Sequence, residues 1–331
     1  MAETAKVAWL EGPRQLVWRE EPLAPGASSH LCKTLVSAVS PGTELAAWTG
    51  APPLRPGKVY PRLMGYCNVA QVLESGAGTT CAAPGDRVLS FASHRDRHML
   101  ADADVLAIIP PALDSATASI AYLLHLGYNA VLRSGVGPGS RVVVIGLGPL
   151  GLAATMMARL AGADVVGVSD QPALAAHARA AGAQWAGARG ALADAPTWCK
   201  AGADTVIATT NAWDDWQLAL ETAGTMATIA VLGFPGRGQP APAANPLDST
   251  HFYTKQLRIE AVGMAPERRD ARGFLRFAEP DNLAFILSLL ADGRLNAAPY
   301  TAWQRPASEL AATYAALESR APGQLTSLLL W

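Results

Sequence analysis

Residues Arg141–Asp170, RVVVIGLGPLGLAATMMARLAGADVVGVSD, decide the fold. Val142–Ile145 is an unbroken β-branched run, the pattern of a strand buried on both faces of a parallel sheet. Gly146-Leu147-Gly148-Pro149-Leu150-Gly151 follows, a G-x-G-x-x-G turn, and then an apolar helix from about Leu152 to Leu160 closed by Gly162. A second buried run, Val165–Val168, ends in Ser169-Asp170. The first glycine permits the tight turn, the second lets a pyrophosphate approach the backbone, and the third lets the helix pack close on the strand. The helix N-terminus offers free N–H groups to that anion, and an acid after the second strand reaches the ribose hydroxyls. The pattern points to dinucleotide binding. The alternative is a Gly-rich turn in another kind of α/β domain.

The totals bound the remainder. The chain has 331 residues, half of them hydrophobic and 16% charged, with net charge −1. That is enough apolar area for about two domains, and it lacks the basic footprint of a nucleic-acid binder. The uncharged stretches 116–132 and 142–158 are broken by Gly, Pro or polar residues and read as core rather than membrane spans. The opening MAETAKVAWL carries charges where a secretion signal would be apolar. Cys32, Cys67, Cys81 and Cys199 form no C-x-x-C pair, as expected of free thiols in a cytoplasmic protein.

Residues 1–115 read as a β-rich, barrel-like domain. Strands are expected at Lys6–Leu10, Gln15–Arg19, Leu31–Val39, Met64–Leu73 and after Gly85, with dense turns such as Pro52-Pro53 and Pro56-Gly57. A helix capped by Asp114 or Ser115 should run to about Arg133. Strands and helices then alternate: helix 173–182 within an Ala-rich stretch (173–195), strand Asp204–Ala208, helix 213–223, strand Ala227–Leu232. This is the order of a doubly wound parallel sheet, with ligands at the carboxyl ends of its strands. Thr209-Thr210-Asn211 and Leu232-Gly233-Phe234 therefore join Gly146–Gly151 as cofactor candidates, including Gly148, Pro149 and Leu150. Further on, Phe252–Ala261 reads as a strand, Asn282–Asp292 and Ala307–Ser319 as helices, and Leu325–Trp331 as a last strand.

These landmarks resemble the medium-chain dehydrogenase/reductase family. The carriers are Gly42-Thr43-Glu44 with Trp48-Thr49-Gly50, Met64-Gly65-Tyr66, Gly85-Asp86-Arg87-Val88, and Gly137-Pro138-Gly139 leading into GLGPLG. Ala203-Asp204-Thr205-Val206, Val231-Leu232-Gly233 and Ala291-Asp292-Gly293-Arg294 continue the likeness. The N-terminal GTE…TG…PP run resembles the bacteriochlorophyllide dehydrogenase branch. The family likeness implies a GroES-like barrel over 1–115, a Rossmann domain over 116–265, and a segment 266–331 that partly rejoins the barrel. It also implies NAD(H) or NADP(H) as cofactor, a small-molecule substrate, and a homodimer or homotetramer without nucleic-acid or membrane partners.

Many members of the family carry catalytic zinc, and here the ligand positions have changed. They fall on Pro41 (or Ser40), on Tyr66 with Cys67 beside it, and on Ala121, and the four-cysteine lobe of the structural zinc is missing. Zinc needs three or four N, S or O ligands, so no zinc is expected. His94 and His98 in SHRDRH read as solvated loop residues, with His94 at a pocket wall as the alternative. By the resemblance, Tyr66 sits near the reacting atom and His125 near the nicotinamide, and a histidine that titrates near neutral pH suits acid–base work. Each has an ordinary core reading too. Ser40 reads as an N-cap or a catalytic hydroxyl, and Thr43 and Glu44 as substrate contacts or as members of a first helical turn. Trp48, Tyr60 and Cys67 are pocket or core residues. Asp170, 24 positions after Gly146, favours NAD(H), because no Lys or Arg lies between 160 and 178 to bind a 2′-phosphate; with a shorter strand Ser169 takes its place. The expected reaction is zinc-independent hydride transfer on a small or medium alcohol/carbonyl pair. Reduction of a conjugated carbon–carbon double bond, and a dinucleotide-binding protein without catalysis, are the alternatives.

Overall fold

The computed structural model describes residues 3–52, 54, 59–274 and 277–331, so Pro53 and Pro56-Gly57 of the expected turns lie outside the described residues. The chain divides into two compact units, 1–122 with 267–331, and 123–266.

The first unit is the GroES-like barrel. It contains β1 (Thr4–Leu10), β2 (Leu16–Pro22), β3 (Ser29–Ala38), β4 (Arg62–Leu63), β5 (Cys67–Ser75), β6 (Arg87–Ser90), β7 (Arg97–Ala101) and β8 (Val105–Ile108). β2, β1 and β4 make a small antiparallel sheet. β3 is the axis of the larger sheet, paired with β5 along most of its length and with β7 at its start. Helix α1 (Pro41–Thr49) follows β3 directly, Pro41 sitting at the first turn, where its missing N–H costs nothing.

The expected single helix from Ser115 is two, α2 (Ser115–Ser119) and α3 (Ala121–Arg133), within which the second unit begins. Asp114 is the cap: its side chain accepts from the Thr117 N–H at 2.9 Å. Ser119 bonds back to the Ala116 carbonyl at 2.7 Å and tightens the turn where α2 stops.

The second unit is the Rossmann sheet. Its elements are β9 (Arg141–Ile145), α4 (Pro149–Leu160), β10 (Asp164–Val168), α5 (Pro172–Ala180), β11 (Trp185–Gly187), α6 (Trp198–Ala201), β12 (Ala203–Ala208), α7 (Trp213–Thr222), β13 (Ala223–Val231) and β14 (Arg258–Ala261). All six strands are parallel, in the order β11-β10-β9-β12-β13-β14. β9 lies centrally, and Val142–Ile145 are at most 1% exposed, as the β-branched run requires. Two expectations are corrected here. The Ala-rich stretch is α-helical only to Ala180, because Gly182 (φ +96°) turns the chain so that Trp185–Gly187 can add to the sheet, and it is helical again only as a 3-10 segment over Arg189–Asp194. Phe252–Ala261 is a strand only from Arg258. Asp248 caps a wide turn over Ser249–Tyr253 by accepting the His251 N–H, and Lys255 Nζ then donates to the carbonyls of Leu220, Glu221 and Ala223.

The C-terminal segment, α8 (Glu279–Ala291), α9 (Ala298–Thr301), β15 (Gln304–Pro306), α10 (Leu310–Glu318) and β16 (Leu328–Leu330), belongs to the first unit. β16 pairs antiparallel with β3, and β15 adds beside it. Among the described residues no helix is long and apolar enough to cross a membrane.

Candidate functional site

The β9–α4 turn shows why each glycine is required. Gly146 has φ +87°, and a Cβ there would meet Thr210 and Thr209 at 2.4 and 2.5 Å. At Gly151 a Cβ would lie 1.8 Å from the Gly146 carbonyl oxygen. Gly148 is the opposite case: its φ is −65° and nothing stands within 4 Å of a built Cβ. It leaves an open approach to the backbone at the N-terminus of α4, where unsatisfied N–H groups attract anions. Thr209 Oγ1 donates to the carbonyls of Ile145 and Gly146, both at 3.0 Å, and so ties the end of β12 to the turn. Asn211 Oδ1 accepts the Phe234 N–H at 3.1 Å. A Cβ at Gly233 would lie 2.3 Å from the Thr210 carbonyl oxygen, so the ends of β12 and β13 meet in close backbone contact. Leu232 is buried, and Phe234 is exposed beneath the Arg237 guanidinium.

At the end of β10, Asp170 is largely exposed and accepts from Arg189, from the N–H at 3.2 Å and from the guanidinium at 3.4 Å. Arg189 also pairs with Asp215 at 2.9 Å. Reading only 160–178 for cations missed this arginine, which comes from beyond β11. The Ser169 hydroxyl accepts the Gln171 N–H.

In the first unit a hydrogen-bonded group surrounds the start of α1. The Tyr66 hydroxyl donates to Ser40 Oγ at 2.5 Å, with Thr43 a second polar neighbour. Burial pushes the phenol above its ordinary range. Ser40 occupies the N-cap position, but its side chain makes no cap bond; instead Glu44 reaches back and accepts the Ser40 N–H at 2.7 Å. The other Glu44 oxygen accepts from His94 Nε2 at 2.9 Å and from the Tyr314 hydroxyl at 2.6 Å. His94 Nδ1 faces Ser37 Oγ at 2.8 Å, and that oxygen also accepts the Trp331 indole N–H. These partners assign His94 a proton on Nε2.

The expectation of solvated histidines is thus corrected: His94 and His98 are 0% and 3% exposed. Pairing of β7 with β3 sets His98 opposite Cys32, and the His94 ring lies against Gly65, where a Cβ would be 2.6 Å away. Glu44 is likewise buried, in a structural network. Trp48 lies in the hydrophobic core, its ring 5.3 Å from that of Tyr314 and its N–H donating to Glu318. Tyr60 is half-buried and donates to the Ala47 carbonyl. Cys67 is fully buried, and burial pushes its thiol far above the ordinary value.

Around Tyr66 the structure brings together residues the sequence did not single out. Tyr122 packs edge-on against Tyr66 and against Phe91, and its hydroxyl donates to Glu279, whose carboxyl is raised by burial.

His125 on α3 is fully buried, and burial lowers its pKa to about 4, so the expected titration near neutrality is replaced by a neutral imidazole. His98 is lowered to about 4 by burial and then by Arg95. Both folded values lie below the unfolded one, so between about pH 6.5 and 4 the unfolded chain binds more protons, and stability is lost as the pH is lowered through that window. Each histidine is expected to remove up to about 1.4 kcal/mol per pH unit in that window. Urea denaturation from pH 7 to 4 measures this slope. It should flatten in His98→Phe and in His125→Phe; an unchanged slope in both variants would refute the assignment.

Residues 149–279 match the family model described as zinc-binding dehydrogenase. The L-galactonate-5-dehydrogenase of Escherichia coli K12 is 27% identical over 207 residues, 53% of this chain and 58% of that protein. The chain spans about half the length of the curated relatives it matches over long stretches. Among solved structures, a short chain alcohol dehydrogenase of E. coli CFT073 complexed with NADH superposes with a TM-score of 0.79 at 16% identity, covering 99% of each chain. A protein of the zinc-binding dehydrogenase type from Sinorhizobium meliloti 1021, bound to NADP, gives a TM-score of 0.78 at 19% identity, over 99% of this chain and 100% of that one. These structural likenesses establish the fold. With the sequence landmarks, the family-model match over 149–279 and the curated relative, they lead to one statement: the chain has the fold of the medium-chain dehydrogenases/reductases and resembles them in sequence.

Proposed function

We propose that the chain is a nicotinamide-dependent oxidoreductase that moves a hydride between NAD(H) and a small or medium alcohol/carbonyl pair, polyols included, without catalytic zinc. The β9–α4 turn carries this reading, with Gly148 open to an approaching pyrophosphate and Gly151 locked against Gly146. The L-galactonate-5-dehydrogenase relative supports the polyol class.

Asp170 supports NAD(H). It stands exposed at the end of β10 as an acceptor for the ribose hydroxyls, while Arg189, the nearby cation, is already held by Asp170 and Asp215 and is not free for a 2′-phosphate. The donor set speaks against catalytic zinc. The ligand positions hold Pro41, Tyr66 and Ala121, and the neighbouring Cys67 thiol is kept protonated by burial. The nicotinamide, when bound, supplies or takes the hydride. The chain's own part is to hold a proton at Tyr66 Oη. That phenol stays protonated through the neutral range, is aimed by Ser40 and Thr43, and is packed by Tyr122. In carbonyl reduction Tyr66 would give its proton to the developing alkoxide and regain one from solvent.

The test follows tryptophan fluorescence while NADH and NADPH are titrated separately, then screens polyols, simple alcohols and enones for turnover. Tighter NADH binding with reversible alcohol oxidation supports the proposal. Enone reduction alone would select the double-bond reductase, binding without turnover would select the non-catalytic alternative, and no binding of either cofactor would overturn the whole reading. Tyr66→Phe is expected to keep NADH affinity and lower kcat by roughly 10²- to 10⁴-fold, the usual worth of a positioned acid; an unaltered kcat removes Tyr66 from the chemistry.

A further inference from the structure

Three ligand-bearing side chains that take no part in the proposed chemistry converge in the first unit. His30 stands on β3, Cys81 between β5 and β6, and Asp102 at the start of the short turn Asp102–Asp104 after β7. β7 pairs with β3 so that His30 faces Leu100, which brings the end of β7 to the histidine. The three donor atoms lie within 4.8 Å of one another. His30 Nε2 is 2.8 Å from Asp102 Oδ1, and Cys81 Sγ is 3.1 Å from that oxygen and 3.6 Å from Nε2. The imidazole is fully buried, whereas Cys81 and Asp102 reach the surface and leave a way in.

We propose that His30, Cys81 and Asp102 bind a zinc-like divalent ion, with water as the fourth ligand. A tetrahedral ion with the usual metal–N, metal–S and metal–O lengths sets its ligand atoms roughly 3.4–3.6 Å apart. The sulfur–nitrogen spacing already has that value. The two contacts to Asp102 are of hydrogen-bond length and open by about half an ångström once an ion replaces the shared protons. The surface carboxylate has room to make that adjustment. One imidazole, one thiolate and one carboxylate suit zinc or cobalt and not calcium or magnesium, which take oxygen ligands.

The outer contacts also fit. His30 Nδ1 meets Ser75 Oγ at 2.9 Å, which fixes the ring with Nε2 toward the cluster. Asp102 Oδ2 accepts the N–H and hydroxyl of Thr80 at 2.7 and 3.0 Å, which turns Oδ1 inward. Second partners of this kind orient metal ligands and tune them. They come from the loop that carries Cys81 and from the end of β5, so an ion here would join β3, that loop and the turn after β7.

The experiment titrates the metal-free full-length chain with Co²⁺ and follows the thiolate-to-cobalt charge-transfer band, then displaces the cobalt with Zn²⁺. One equivalent per chain is expected, with a Tm rise on saturation. Cys81→Ser should abolish the band, Asp102→Asn and His30→Gln should weaken binding at least tenfold, and Cys199→Ser should change nothing. A band that survives Cys81→Ser, or no band in the parent chain, overturns the proposal. If Cys81→Ser does not fold, Asp102→Asn decides, and cobalt affinity equal to the parent's would overturn it as well. A cluster serving only as a hydrogen-bonded staple would lose Tm in these variants while the parent gained none from metal, which is also an overturning result.

Discussion

Gly151→Ala is expected to lower dinucleotide affinity by at least roughly 100-fold, about 2.7 kcal/mol, and to destabilise the second unit at the same time. Its Cβ would fall 1.8 Å from the Gly146 carbonyl oxygen and 2.8 Å from the carbonyl carbon. Both are backbone atoms, so no flexible side chain can move aside. Alanine gains about 1 kcal/mol of helix propensity over glycine, but overpacking of this kind costs about 1–3 kcal/mol or more, and relief requires the N-terminus of α4 to shift away from β9. Gly148→Ala separates the two effects. It keeps a permitted φ and meets nothing within 4 Å, so stability should stay within about 0.5 kcal/mol of the parent. Its methyl would nevertheless stand where the pyrophosphate approaches, and NADH affinity should fall as in Gly151→Ala. Thermal unfolding and fluorescence titration on both variants check the pair. Undiminished NADH binding by Gly148→Ala would mean that the turn cradles no phosphate. An unaltered Tm in Gly151→Ala would mean that the turn relaxes freely.

That turn was legible in the sequence because its causes are local. The β-branched run, the glycine spacing and the following apolar helix lie within thirty consecutive residues, and the parallel sheet follows from the alternation that continues after them. Features that depend on distant partners were not legible. Arg189 reaches Asp170 only because β11 pairs with β10 and returns the chain to that edge. His94 and His98 stand in a charged sextet that looks solvated, yet pairing of β7 with β3 draws His98 inward, and backbone bonds to Met64 and Ala8 hold His94 inside, while Arg95 and Arg97 stay nearer the surface. His30, Cys81 and Asp102 are separated by about fifty and twenty positions and share no spacing motif; the register of β3 with β7 brings Asp102 to His30, and Thr80 ties the Cys81 loop to Asp102. Ser40 is the instructive intermediate case. The sequence gives its place at the helix start correctly, but its hydroxyl turns to Tyr66, and the capping falls to a carboxylate four residues on.

That carboxylate sets the second large expected effect: Glu44→Ala should cost about 3–5 kcal/mol of stability, the usual result of removing one member of a buried charged network. Glu44 is 3% exposed and satisfies three donors on three elements: the Ser40 N–H ahead of α1, His94 Nε2 before β7 and the Tyr314 hydroxyl on α10. Truncation strands all three away from water, and each buried orphan carries a desolvation penalty of about 1–3 kcal/mol. Part of that is recoverable if water enters, which keeps the total below the sum. Against an overall stability of about 5–15 kcal/mol, the loss is a large share. Glu44→Gln is a milder test. Its amide oxygen can still accept from His94 and Tyr314, but its NH₂ then faces the Ser40 N–H, so one acceptor is lost and about 1–3 kcal/mol with it. Tyr314→Phe removes a donor and leaves the carboxylate with two partners, so its cost should be the smallest of the three. Urea denaturation with a fixed m-value measures the order Ala > Gln > Phe. If Glu44→Ala costs less than 1 kcal/mol, the carboxylate is not holding α1, β7 and α10 together, and the buried reading of Glu44 gives way to the substrate contact that its G-T-E motif first suggested.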